Sequence, residues 1–103
     1  MKKTTIYHTV TYLEGCQDKY GLDLFPLHIN GYIHHVYQRR LFGFIPLPDK
    51  YEIEIRVRDK AGHGEGLTDY YLRRELDAQS QFYLKKKVDK IREILKSKRK
   101  EYM

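Results

Sequence analysis

The apolar residues of this chain change period once, and that change divides it in two. Tyr51, Ile53, Ile55 and Val57 recur at every second position, with Glu52, Glu54, Arg56 and Arg58 between them. From Gln81 onward the apolar residues are Leu84, Val88, Ile91 and Leu95, at i, i+4, i+7 and i+11. The first spacing lines one face of a strand and the second lines one face of a helix. A chain of 103 residues supports one core. The fold class predicted is therefore α+β: an antiparallel sheet of about four strands, in the order β-β-β-β-α-α, with a C-terminal amphipathic helix packed on one face. Residues 1–103 form a single domain in this reading, with the sheet at about 4–60 and helices at 67–100.

Three further strands are predicted. Thr4–Leu13 is rich in β-branched and aromatic residues. Leu24–Ile29 and Tyr32–Tyr37 flank Asn30-Gly31, the pair that favours a two-residue hairpin turn because both positions need positive φ. That register puts Phe25, Leu27, Ile29, Tyr32, His34 and Val36 on one face. It makes His28 and His35 diagonal neighbours on the other. Pro26 cannot donate to a ladder, so an edge or a bulge is expected there. The second hairpin strand runs on towards Phe42, and Pro46-Leu47-Pro48-Asp49 ends it. Gly62-His63-Gly64-Glu65-Gly66 reads as a flexible connector, with Thr68 or Asp69 capping a short helix through Tyr71, Leu72 and Leu76.

Charge is distributed unevenly. Residues 1–80 contain 11 Lys and Arg against 11 Asp and Glu, whereas residues 81–103 contain nine cations and three acids. The whole net charge of +6 therefore lies in the last helix. Lys85, Lys86, Lys87, Lys90, Arg92, Lys96, Lys98 and Arg99, with Arg39 and Arg40 from the sheet, are the candidate phosphate contacts. The competing reading is a solvated helix face whose cations also favour the helix C-terminus. Leu84, Val88, Ile91 and Leu95 span fewer than two heptads, so they are expected to pack on the sheet, with a homodimer seam as the alternative.

Other constellations are weaker. Ten tyrosines, with Arg39, Arg40, Arg56 and Arg58, suggest a stacking platform for unpaired bases. Ordinary strand composition explains them as well, and Glu52 and Glu54 would repel phosphate. His28 and His35 lack a third ligand in the hairpin, so no metal and no cofactor is expected. Cys16 is the sole cysteine and stands in a polar loop without a nearby base. Leu41, Phe42 and Phe44 in the apolar Gly/Pro-rich run 41–48, beside Tyr37, either plug the end of the sheet or form an exposed contact for a partner protein. Ile6–Leu13 is interrupted by His8, Thr9 and Thr11, so neither a secretory leader nor a membrane span is expected, and the expected location is the cytoplasm.

The function expected from these features is non-enzymatic nucleic-acid binding through the basic helix. One alternative is a phage or mobile-element protein that docks on and inhibits or modulates a larger host protein, a nucleic-acid-handling one being one candidate class. Another is a metal-independent ribonuclease using His63 and Glu65.

Overall fold

A computed structural model describes residues 1–24, 26–58, 65–66 and 76–103. Residues 62–64 of the expected glycine connector, and all of the expected short helix before Leu76, lie outside the described residues. Glu65 and Gly66 are not loop but a short strand added to the sheet edge, and Leu76 makes an isolated bridge to Asp18. Six strands and one helix are described. They are β1 (Lys2–Leu13), β2 (Leu27–Tyr37), β3 (Arg39–Leu41), β4 (Ile45–Leu47), β5 (Lys50–Arg58), β6 (Glu65–Gly66) and α1 (Ala78–Lys100). One antiparallel sheet has the order β1-β2-β5-β6, and β3 and β4 form a separate two-stranded ribbon. The α+β class and the helix on one sheet face agree with the sequence pattern.

The Asn30-Gly31 hairpin does not form. Both residues lie in the middle of β2, where Asn30 pairs with Val10 and Arg56, and Gly31 pairs with Thr9 and Ile55. A local turn preference is weak beside two ladders running the length of a central strand. Continuity also changes the faces, because the side-chain period is two. Leu27, Ile29, Gly31 and Ile33 now share the helix side, where the three larger residues are fully buried. His28 and His35 are consequently not neighbours. They sit on opposite faces of one strand, about 23 Å apart along it.

Gly31 has a different task. A methyl group on its Cα would lie 2.8 Å from Leu95 Cδ1 and 2.9 Å from Ile91 Cγ2. The helix therefore crosses the central strand where no side chain keeps it away. Leu84, Val88, Ile91 and Leu95 are all buried in the core formed with Leu27, Ile29, Ile33 and Val57. These four side chains are occupied within one chain, so they do not form an exposed seam. Tyr7 and Leu13 of β1 and Tyr51, Ile53 and Ile55 of β5 pack around this core. A bulge between Thr5 and Tyr7 shifts the β1 register, so Ile6 also reaches it.

The start of α1 is tied to the loop after β1. Asp77 is the N-cap and its carboxylate accepts from the Ser80 backbone N–H at 2.7 Å. Ser80 Oγ in turn accepts from Gln17 N at 2.9 Å, and Asp77 N donates to Gln17 O at 3.1 Å. Cys16 is buried beside them, and burial pushes its thiol above the ordinary range.

Two outcomes are expected. Gly31→Ala destabilises the fold by about 1–3 kcal/mol through overpacking, and Leu95→Ala by about 2–5 kcal/mol. The double variant loses less than the sum in denaturant melts, because the two sites touch. The hydrogen bonds from Ser80 hold the Asp77 carboxyl below its usual range. Its stabilisation is therefore fully present above the ordinary carboxyl pKa and is lost as pH falls from there through the lowered folded-state value. Asp77→Ala lowers Tm at neutral pH, and the difference from the parent protein shrinks in acid.

Candidate nucleic-acid interface

Burial of one helix side leaves the cations on the others. Lys85, Lys86, Lys90, Lys96 and Lys100 are exposed, while Lys87, Arg92, Lys98 and Arg99 are partly buried. Three of these nine face acids of their own helix. Arg92 lies 3.5 Å from Asp89, Lys96 lies 3.6 Å from Glu93, and Lys98 lies 3.0 Å from Glu101. Lys98 also sits over the Tyr7 ring at 5.4 Å. Its hydrogen bond to Glu101 raises its pKa. Lys85, Lys86, Lys87, Lys90, Arg99 and Lys100 have no ion-pair partner among the described residues. Lys86 does lie 5.2 Å from the Phe82 ring. Lys87 and Lys90 line a cleft of about 200 Å³ between the helix and Thr9–Thr11 of β1. With Lys86, Tyr83 and Leu13 they line another of about 290 Å³.

Strand register assembles a second group of cations. Lys2 opposes Tyr37, and Val36 lies between Lys3 and Lys50. This is the end of the sheet from which β3 departs with Arg39 and Arg40. The helix C-terminus reaches the same end, because Tyr102 stacks on Tyr51 with centroids 5.9 Å apart. Lys2, Lys3, Arg39, Arg40, Lys50, Arg99 and Lys100 thus gather at one pole of the molecule. Glu52 lies between Lys50 at 2.9 Å and Lys3 at 3.7 Å. Lys50, by hydrogen bonding, is the main cause of its lowered pKa.

The β3–β4 ribbon projects from this pole as an arm. The turn Leu41–Phe44 is closed by Phe44 N donating to Leu41 O at 3.3 Å. Phe42 and Gly43 both have positive φ, at 53° and 83°. Glycine accepts that conformation freely, but a phenylalanine there is strained by about 1–2 kcal/mol. The arm tip is apolar nonetheless: Phe42 is 80% exposed and Phe44 71% exposed, with Leu41 and Ile45 beside them. At the base, Arg39 Nη1 donates to Pro48 O at 2.7 Å. Arg40 is exposed. Tyr37, which the sequence grouped with these apolar residues, is half-buried and stacks on His35 at 4.8 Å. His35 stacks on Tyr51 in turn at 4.9 Å and donates to Asp49 at 2.9 Å.

The sheet face away from the helix carries a polar cluster that sequence reading missed. His34 is buried; its Nε2 donates to Glu54 Oε1 at 3.1 Å, and its Nδ1 lies 2.9 Å from Thr5 Oγ1. Tyr32 stacks between His34 and His8, and His8 donates to Asn30 Oδ1 at 3.0 Å. Both nitrogens of His34 are engaged, which satisfies a buried imidazole. Alternation through Asn30-Gly31 was the signal that would have put these residues together. The tyrosines do not form one platform: Tyr12 and Tyr32 face this side, and Tyr7 and Tyr51 the helix side.

Chemically, the pole and the helix flank can neutralise a row of phosphates. The strain at Phe42 is testable separately: Phe42→Asn, which tolerates positive φ, raises Tm in thermal melts, by up to about 1 kcal/mol of stability. Comparison with protein-family models, with curated proteins and with solved structures finds no match to this chain.

Proposed function

We propose that this protein binds nucleic acid without catalysis, by neutralising backbone phosphates. The helix cations and the arm-base arginines are the main contacts. The observation that carries this reading is that one pole brings together cations from β1, β3, β5 and the end of α1, far apart in sequence. Lys85, Lys86, Lys87 and Lys90, which have no acidic partner among the described residues, extend that surface along the molecule. Such contacts set position and affinity rather than sequence preference. A cytosolic location suits this role, and no helix among the described residues is long and apolar enough to cross a membrane.

A second reading is favoured by one observation, the exposed Phe42 and Phe44. In it, the arm docks on a larger host protein and modulates it, as a phage or mobile-element factor would.

Salt titration of duplex and single-stranded binding tests the first reading. Log affinity is expected to fall linearly with log salt, with a slope of about −0.9 per duplex phosphate neutralised. Replacing Lys85, Lys86 and Lys90 together by Ala makes the slope shallower, and so does replacing Arg39 and Arg40. An affinity indifferent to salt, or unchanged by both sets, removes the proposal.

A further inference from the structure

We propose that the β3–β4 arm enters a groove of duplex nucleic acid and inserts Phe42 and Phe44 as a wedge between base steps. This rests on the phosphate-binding reading above and adds a mode of contact to it.

The arm lies where a groove-entering element must lie. The β2–β5 ladder ends at the pair Val36–Lys50, and the arm continues beyond it with the pairs Arg39–Leu47, Arg40–Pro46 and Leu41–Ile45. The molecule is elongated, at 54 × 27 × 22 Å. Gln38, with φ of 53°, separates the arm from β2, and the Arg39–Pro48 hydrogen bond braces its base. A two-stranded ribbon can enter either groove of a duplex, and a wedge between base steps comes from the minor groove.

Charge complementarity selects the occupant. Arg39 and Arg40 are adjacent in a strand, so they point to opposite faces of the ribbon. A groove has a phosphate wall on each side; Arg40 is exposed on one face of the ribbon, and Arg39, with one nitrogen bonded to Pro48 O, leaves from the other. Both stand only two or three residues behind the rings, about 7–10 Å. Pairing with another protein strand is disfavoured at the β4 edge of this ribbon, because Pro46 has no N–H to offer an added ladder.

The tip chemistry then follows. Apolar side chains that enter between base steps unstack them and kink the duplex. Phe42 holds its ring at the extremity of the turn despite positive φ, where asparagine or glycine would relieve the backbone. Strain kept at an exposed position is the mark of a residue held there for contact rather than stability.

Duplexes carrying 2-aminopurine at successive steps test this directly. Binding of the full chain is expected to raise the fluorescence at the wedged step. Phe42→Ala/Phe44→Ala loses that rise while keeping the salt slope, and its thermal melt reports that it remains folded. Salt-dependent binding without a fluorescence rise at any step overturns the wedge and leaves phosphate binding standing. Absence of binding to duplex and single strand at low salt overturns both. Phe-dependent binding to phosphatidylglycerol vesicles, without the rise on duplex, reassigns the tip to a lipid surface and overturns the wedge.

Discussion

The contact between α1 and the bare backbone of Gly31 is the constraint on which the rest of this structure depends. A helix resting on a sheet is normally held off by side chains on both surfaces. Here Ile91 and Leu95 drop onto a position with no Cβ, and the helix sinks into the middle of the central strand. That seating lets Leu84 reach the core at one end while Lys98 lies over Tyr7 and Tyr102 reaches Tyr51 at the other. It turns the apolar stripe fully inward and therefore turns the lysines outward. The cationic surface is a by-product of how closely the other side packs.

The fold class was legible because each half of the chain has an unambiguous period. Leu84, Val88, Ile91 and Leu95 read as one buried stripe, and the strand through Tyr51–Arg58 alternates without interruption. The misreading was local. Asn30-Gly31 carries a strong turn preference, and nothing in its immediate neighbours contradicts it. What overrules it is tertiary: pairing on both edges of β2 and a helix that needs a gap at residue 31. Reading alternation straight through the pair, so that Leu27, Ile29 and Ile33 fall on one face, would have recovered the strand and the His34 cluster with it.

The actual turn is at Phe42-Gly43, where local preference is much poorer. The sequence holds an ideal turn pair where the chain runs straight, and an awkward pair where it reverses. Both exceptions have a physical reason. Gly31 is a glycine for the sake of packing, and Phe42 is a phenylalanine in spite of its backbone. The candidate cations were legible as residue types, especially Lys85–Lys87 and Arg39-Arg40. Their convergence at one pole was not, because it depends on antiparallel register and on the Tyr51–Tyr102 stack, which join residues separated by half the chain.

The link between Gln17 and Ser80 spans 63 residues of sequence. The helix that covers the sheet also follows every described strand in the chain. During synthesis, β1, β2 and β5 emerge with Leu27, Ile29 and Ile33 uncovered, and no later segment among the described residues except α1 buries them. The sheet must therefore wait for α1 to emerge from the ribosome before its core closes. Non-local closure of this kind makes for slow folding and a prolonged exposure of strand surface. The lysines of the same helix emerge with the apolar stripe that closes the core, so charge and cover reach the open sheet face together.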